Sequence, residues 1–242
     1  MNENILSNKN CLITGATGGL GQELSKKLIQ NNCNLFLTGQ SEKRLQKLKD
    51  ELNHMNTNNS KISYCVGDLT KQSEIKKIIT RARHDFHHID ILINCAGIFM
   101  SKPISQSTIE DFDRILGVNI RAPFLLCKEF SKDMMAKKWG RIINIGSSSS
   151  YSGFKNGSIY CSSKHAMLGL SRSLFNELNK HGIRTYCISP GSIKTKMGKL
   201  SKDQDYETFL DPLQVAKYVE FAISFDDDLI SEEIRLNRIN PY

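Results

Sequence analysis

The 242-residue sequence lacks several patterns that would each indicate a different class of protein. No apolar segment approaches the roughly 18 residues needed to span a bilayer, and the first residues, MNENILSNKN, contain no apolar signal segment. The seven cysteines are widely spread without a C-x-x-C pair that would indicate a zinc or redox site. Unclustered cysteines in odd number are typical of reduced thiols. We therefore expect a cytoplasmic protein that does not enter a membrane.

Clustered basic residues are also absent. Lys and Arg number 33 against 25 Asp and Glu, which gives a formal net charge of +8. These basic residues form no long run and are not interleaved with aromatic residues, so we do not expect nucleic-acid binding. A small anionic ligand or an acidic carrier protein would suit the excess of positive charge.

Short apolar segments alternate with longer amphipathic ones along the chain. This order predicts a parallel sheet with crossover helices on both faces, a doubly wound α/β fold of the Rossmann type. With 39% hydrophobic residues, we expect a single domain over residues 1–242. The predicted strands are CLIT, NLFLT, KISYCV, IDILINCAG, RIINIGS and IRTYCIS, and the predicted helices are 22–30, one beginning near Ser41, 75–79, 108–138 and 160–180.

The first predicted strand leads into a glycine-rich segment, TGATGGLG, at residues 14–21. Gly15 permits a tight turn, and Gly19 and Gly21 let the backbone approach a pyrophosphate. The segment lacks the Lys-Ser/Thr pair of a Walker loop, which disfavours phosphoryl transfer. A glycine-rich turn can be only a turn, but its position after the first strand favours a dinucleotide site.

Tyr160 and Lys164 are four residues apart on a predicted helix, so they share one face. A neighbouring ammonium favours the phenolate, which brings a phenol towards the range in which it acts as acid or base near neutral pH. This spacing alone is common by chance, and an ordinary helix face would explain it equally well.

Together these segments resemble the short-chain dehydrogenase/reductase family over nearly the whole chain. The general likeness is greatest to the bacterial 3-oxoacyl-acyl-carrier-protein reductases, which share the size, the strand GRIINIGS and the Y-x-x-x-K helix. The matching motifs are Thr14-Gly15-x-x-x-Gly19-x-Gly21, Asn94-Cys95-Ala96-Gly97 and Pro190-Gly191.

This resemblance implies hydride transfer between a nicotinamide and a carbonyl group. Tyr160 would be the proton donor in reduction, and Lys164 would lower its pKa while bonding the nicotinamide ribose. Ser147, thirteen positions before Tyr160, would polarise the carbonyl oxygen, whereas Ser148–Ser150 would be loop residues. Asn119 would bend its helix and hold a water that connects Lys164 to solvent, or would be only a helix-kink residue.

The resemblance also implies contacts with the nucleotide. Asp68 and Leu69 would hold adenine, the segment 94–97 would line the adenosine side, and residues after the sixth strand would hold the nicotinamide. Asp68 could instead cap a helix, for which Thr70 is the better candidate. The expected cofactor-binding residues are Gly15, Thr17, Gly18, Gly19, Leu20, Gly21, Gln40, Asp68, Leu69, Asn94, Ala96, Gly97, Tyr160, Lys164, Pro190, Gly191, Ile193 and Thr195.

The choice of nicotinamide depends on the end of the second strand, Thr-Gly-Gln-Ser at residues 38–41. An acid there would select NAD and an Arg would favour NADP, and neither is present. Because no carboxylate repels a phosphate and Ser41, Lys43 and Arg44 are near, we expect NADP(H) in preference to NAD(H). Gly18 counts against this, since many NADP-preferring relatives have a basic residue there.

The substrate pocket is expected from residues 98–104 and from a short lid at about 192–211. Four apolar side chains would line this pocket or, as the alternative, would belong to the hydrophobic core. They are Phe99, Met100, Phe154 and Met197.

A 3-oxoacyl group on an acyl carrier protein is the leading substrate, because Lys138 and His181 match positions where those reductases have basic residues for the acidic carrier. The tail ISEEIRLNRINPY and the short lid depart from that group, which leaves a sugar, a polyol or another small ketone as the alternative. We expect a homodimer or homotetramer through the helices at 108–138 and 160–180.

Two other interpretations are disfavoured. A catalytically silent nucleotide-binding protein would not need Ser147, Tyr160 and Lys164. His84, His87 and His88 have the spacing of one helix face, but no carboxylate or Cys pattern completes a metal site, so no metal is expected.

Overall fold

The strands of the described part of the chain run parallel in one sheet. The computed structural model describes residues 4–201 and 203–239. The strands are β1 (Asn10–Ile13), β2 (Asn34–Gly39), β3 (Ile62–Val66), β4 (Ile91–Asn94), β5 (Gly140–Ile145), β6 (Ile183–Pro190) and β7 (Glu233–Leu236). Their order across the sheet is β3-β2-β1-β4-β5-β6-β7.

Helices cover both faces of this sheet. They are α1 (Gly19–Gln30), α2 (Glu42–Met55), α3 (Gln72–Phe86), α4 (Ile109–Leu116), α5 (Ala122–Lys137), α6 (Ser158–Leu178) and α7 (Pro212–Ile223). One face packs Ile13, Ile93 and Ile143 against α1, α2 and α7. The other packs Leu12 and Leu92 against α3 and α5. Because both faces are covered, the strands read as continuous apolar runs, and the predicted doubly wound single-domain fold is confirmed.

Two elements differ from the sequence predictions. The helix predicted at 108–138 runs without a break over 109–137, but a π-helical turn, Gly117–Arg121, lies between α4 and α5. The segment around β7 was not predicted as a strand, yet it pairs with β6 from Cys187↔Glu233 to Pro190↔Leu236. β7 is only partly buried and alternates Glu and Arg with Ile and Leu, so it lacks the apolar run that marked the other strands.

The sheet places the loops after β1 and β4 side by side. The chain continues from β1 to β2 in one direction and from β4 to β5 in the other, so a crevice opens between these loops. Thr14 joins the two loops at the base of the crevice. Its hydroxyl accepts hydrogen bonds from the N–H groups of Cys95 and Ala96 at 3.1 Å each. Gly15 has a φ of +64° and lies against Ala96, where a Cβ would come within 2.8 Å of the Ala96 Cα.

None of the helices in the described ranges is both long and apolar enough to cross a bilayer.

We expect Gly21→Ala to lower the melting temperature. A Cβ at Gly21 would lie 2.3 Å from the carbonyl oxygen of Gly15, so the loop would have to move. Such overpacking costs about 1–3 kcal/mol, which corresponds to a fall in Tm of roughly 5 °C in a chain of this size.

Gly169→Ala is the matched control, because no atom lies within 4 Å of its Cβ position on α6. This change should leave Tm unchanged or raise it, since Ala favours helix over Gly by about 1 kcal/mol. A Gly21→Ala protein that melts at or above the wild-type temperature would contradict the close approach.

Candidate active site

The glycine loop forms the first wall of the site. Helix α1 begins directly after Gly18, with no side chain capping its first turn and no acidic residue in that turn. Its first backbone N–H groups are therefore available to an anion, as the pyrophosphate of a dinucleotide requires. A Cβ at Gly19 would lie 2.7 Å from the Cγ2 of Thr195, so the loop after β6 closes over the glycine loop. The residues present fit a dinucleotide.

The residues expected at adenine lie beyond the end of β3. The carboxylate of Asp68 accepts hydrogen bonds from the N–H and the hydroxyl of Thr70, at 3.0 Å and 2.8 Å, and these bonds hold its pKa below the usual value. Gln40 and Asp68 both line a cleft of about 340 Å³. The side chain of Leu69 is buried in the core, which leaves only its backbone to face a ligand.

The capping alternatives for Asp68 and Thr70 are wrong. Helix α3 begins at Gln72, and Lys71 occupies its N-cap position. The carboxylate of Asp68 therefore stabilises the turn before the helix and not the helix start.

Asn94 makes contacts inside the sheet. Its amide donates to the Oδ1 of Asn144 on β5 at 2.8 Å, and the amide of Asn144 donates to the hydroxyl of Ser171 on α6 at 3.0 Å. The Asn94 side chain is only 2% exposed. It thus joins β4, β5 and α6 below the site, and its contact with adenosine stays a prediction.

Asn119 lies in the π-helical turn and holds the loop after β4. Its Oδ1 accepts the N–H of Ile98 at 2.8 Å, and its amide donates to the Ile98 carbonyl at 3.0 Å and to the Ser163 hydroxyl at 2.9 Å. Ser163 in turn donates to the Tyr160 carbonyl at 2.7 Å. The structure adds Ser163 to the residues that sequence reasoning found, and no motif marked it.

Ser147, Tyr160 and Lys164 meet at the carboxyl edge of the sheet. Ser147 follows β5 and caps the short turn Ser148–Ser150 by accepting the N–H of Ser149 at 3.1 Å. Tyr160 and Lys164 lie on the first turns of α6, with the Lys164 Nζ 5.9 Å from the centroid of the phenol ring. A Cβ at Gly97 would lie 3.9 Å from that Nζ, so the loop after β4 completes the site.

Burial dominates the electrostatics of this group. It raises the pKa of Tyr160, while a hydrogen bond with the Ser147 hydroxyl acts in the opposite direction. It also lowers the pKa of Lys164 to about 8, and the Lys164 ammonium donates to the Ile145 carbonyl at 2.8 Å. Burial thus raises the pKa of Tyr160 in this structure, and the lowering by Lys164 stays a prediction.

The residues expected at the nicotinamide lie in the segment after β6. Gly191 donates its N–H to the Leu236 carbonyl at 2.8 Å, which fixes the end of β6 against β7. Ile193 forms a bridge with Leu210, and this bridge joins the two ends of the segment 192–211. Pro190 is buried at the end of β6, and Thr195 contacts the glycine loop as described above.

The three histidines of the disfavoured metal interpretation do not share a helix. Helix α3 ends at Phe86, and His87 follows with a φ of +64°. His84 contacts Asp85, whereas His88 lies 3.3 Å from Asp90. Over residues 4–201 and 203–239, no group of three or more His, Cys, Asp or Glu side chains is arranged to hold a metal ion.

Comparison with known proteins finds relatives over nearly the whole chain. The family model for short chain dehydrogenases matches residues 9–205. The 3-oxoacyl-[acyl-carrier-protein] reductase FabG of Rickettsia bellii is 31% identical over 235 residues, which cover 93% of this chain and 93% of that protein. An uncharacterized oxidoreductase of Staphylococcus saprophyticus is 29% identical over 220 residues, covering 90% and 92% of the two chains.

Solved structures show the same fold. A metagenomic short-chain oxidoreductase in complex with NADP superposes with a TM-score of 0.85 at 25% identity, covering 97% of this chain and 99% of that one. An alcohol dehydrogenase from Thermococcus sibiricus gives a TM-score of 0.87 at 24% identity, over 96% of this chain and 97% of that one. Since the family model spans most of the sequence and a relative over 30% identical covers nearly all of it, the chain belongs to the short-chain dehydrogenase/reductase family and is an NAD(P)-dependent oxidoreductase.

Proposed function

We propose that this oxidoreductase reduces a ketone to a secondary alcohol at Ser147, Tyr160, Lys164 and Asn119. The observation that carries the proposal is the meeting of the Ser147 hydroxyl, the Tyr160 phenol and the Lys164 ammonium beside the loop after β4. A proton donor, a donor to the carbonyl oxygen and a cation are what ketone reduction requires of a protein.

The nucleotide would lie across the crevice between β1 and β4. The glycine loop would hold its pyrophosphate, residues around Gln40 and Asp68 its adenosine, and the segment from Pro190 to Thr195 its nicotinamide. When bound, the reduced nicotinamide supplies the hydride that the carbonyl carbon accepts.

Tyr160 transfers its phenol proton to the carbonyl oxygen. A phenol of ordinary pKa, about 10, holds its proton at neutral pH, and burial of Tyr160 raises its pKa, so the proton is present for transfer. The Ser147 hydroxyl holds the same oxygen. Once the proton has left, the Lys164 ammonium stabilises the phenolate in a site from which water is largely excluded.

Asn119 positions the site. Both N–H groups of its amide are donated to protein atoms, to Ile98 and Ser163. The side-chain amide of Asn119 therefore has no N–H group left for a water that would return a proton to Lys164.

NADPH is the proposed reductant. The guanidinium of Arg44 donates to the Thr17 carbonyl, which directs it across the glycine loop, and the Ser41 hydroxyl accepts the N–H of Arg44 at 3.4 Å. Both lie where the phosphate on the adenosine ribose would be expected, and Gln40 presents no repelling charge there.

A 3-oxoacyl thioester is the proposed substrate, with a sugar or polyol ketone as the alternative. Several FabG proteins at about 30% identity support the first. The segment 192–211 would be the lid over the substrate. The bridge between Ile193 and Leu210 would hold the base of this lid.

An acyl carrier protein would dock at Lys138 and His181. These residues lie at the amino ends of β5 and β6, where Gly140 pairs with Ile183. Six residues of β5 span about 20 Å, so a carrier there would serve the site of another copy. We therefore couple this docking to a homodimer or homotetramer, in which a second copy would cover the exposed rings of Phe112 and Phe124 on α4 and α5.

Tyr160→Phe should abolish turnover and retain nucleotide binding. Loss of the proton donor is expected to lower kcat by at least about a hundredfold, measured as NADPH oxidation with an acetoacetyl thioester and with sugar ketones. Nucleotide affinity, measured by NADPH fluorescence, should change little because the ring remains.

Tyr218→Phe is the control, since this hydroxyl belongs to a residue of α7 that is 54% exposed. It should behave as the wild type. Retained turnover in Tyr160→Phe would refute the assignment of the proton donor.

Arg44→Gln should raise the KM for NADPH by about tenfold and leave the KM for NADH nearly unchanged. A hydrogen bond to a charged group contributes about 1.5–3 kcal/mol, and about 1.4 kcal/mol corresponds to a factor of ten. Lys47→Ala on the same helix is the control, because this side chain is 78% exposed and pairs with Glu51. A wild-type enzyme with a higher kcat/KM for NADH than for NADPH would contradict the proposed reductant.

A further inference from the structure

We propose that the rings of Phe99 and Phe154 bind an apolar substituent of the ketone, so that the enzyme selects apolar ketones over polyhydroxylated ones. We call these two rings the aromatic wall. The inference rests on the proposed ketone reduction at Tyr160 and assigns the substrate side of that site.

The aromatic wall lies directly beside the phenol. The ring of Phe99 meets the ring of Tyr160 edge to face, with centroids 4.9 Å apart and planes at 71°. Phe154 stacks on Phe99 at 6.0 Å and 16°, and its own centroid lies 6.3 Å from that of Tyr160. A substituent on the carbonyl carbon held at Tyr160 therefore has an aromatic surface within reach.

Phe99 is anchored by the residue that also positions the site. It follows Ile98, whose N–H and carbonyl are both bonded by the side chain of Asn119. The loop after β4 is also tied to the loop that carries Phe154, since the Lys102 N–H donates to the Asn156 carbonyl at 2.7 Å. The wall is thereby fixed relative to Tyr160.

Phe154 is held against the start of α6. A Cβ at Gly157 would lie 2.5 Å from the Cζ of the Phe154 ring, so the ring occupies space that only a glycine leaves open. The ring is nevertheless 41% exposed. An apolar ring held in place beside a proton donor, yet open to solvent, offers area that a ligand can cover.

The surroundings offer little to a polyol. Met197 is 39% exposed and reaches towards Gly97. A Cβ built on Gly97 would lie 4.0 Å from the Cε of Met197. Lys102 is engaged with Asp111 at 2.6 Å. Hydroxyl groups placed against Phe99, Phe154 and Met197 would lose water without gaining partners, which disfavours a sugar.

Kinetics with three ketones test the inference. The pair 4-phenyl-2-butanone and 2-butanone differ by an apolar ring, and fructose is the polyhydroxylated ketone. The wild type should show kcat/KM highest for the phenyl ketone and lowest for fructose. Phe154→Ala should lower the ratio of kcat/KM between phenyl ketone and 2-butanone by about tenfold, mainly through KM, since the lost contact stabilises ground state and transition state alike.

Two further variants separate binding from folding. Phe154→Tyr keeps the ring and should keep the preference for the phenyl ketone. Phe221→Ala removes a ring of α7 that is 61% exposed and should leave the ratio unchanged. Thermal melting of each variant checks that it is folded.

The outcomes distinguish this inference from the proposed function. Ketone reduction with fructose as the best substrate, or an equal loss on all three ketones in Phe154→Ala, would overturn the aromatic wall and leave ketone reduction standing. Absence of NADPH or NADH oxidation with every ketone, including an acetoacetyl thioester, would overturn both.

Discussion

The hydrogen bonds of one buried amide connect the parts of the candidate active site. Asn119 bonds both backbone groups of Ile98 and the hydroxyl of Ser163, and Ser163 lies between Tyr160 and Lys164 on α6. The π-helical turn brings this amide to the point where the loop after β4 passes α6. A buried amide that lost its hydrogen-bond partners would be costly in free energy. The bonds of Asn119 therefore favour one arrangement of the site more strongly than surface contacts would.

A second set of buried polar contacts supports the first from below. Asn94, Asn144 and Ser171 join β4, β5 and α6 in one chain of hydrogen bonds, and Thr14 joins the loops after β1 and β4. These contacts fix the spacing of the strands whose carboxyl ends carry the glycine loop, Ser147 and the loop before Phe99. Buried hydrogen bonds therefore hold the base of the site together.

Much of this arrangement follows from the sequence, because buried parallel strands leave continuous apolar runs and glycine permits a backbone that other residues cannot adopt. The runs CLIT and RIINIGS predicted β1 and β5, and Gly15 predicted the turn with positive φ. β7 escaped prediction because an edge strand buries too little of each side chain to leave such a run. The resemblance implied a bend of the helix at Asn119, but no local pattern in the sequence recorded that the bend takes the form of a π-helical turn.

The candidate site was likewise predictable from the sequence only in part. Tyr160 and Lys164 are linked by helix geometry, which spacing reveals, whereas the raised pKa of Tyr160 depends on burial, which no local motif records. The side chain of Asn94 illustrates a further limit, since a motif gives a residue's position along the chain but not the face of the sheet that its side chain occupies.

The central claim is that hydride passes from a nicotinamide to a ketone carbon at this site, and isotopic labelling tests it most directly. NADPH and NADH carrying deuterium at both positions of C4 would be oxidised in the presence of an acetoacetyl thioester or 4-phenyl-2-butanone, and the alcohol analysed by mass spectrometry. The account predicts an alcohol with deuterium on the carbinol carbon. An alcohol without deuterium, or nucleotide oxidation without any alcohol, would contradict it.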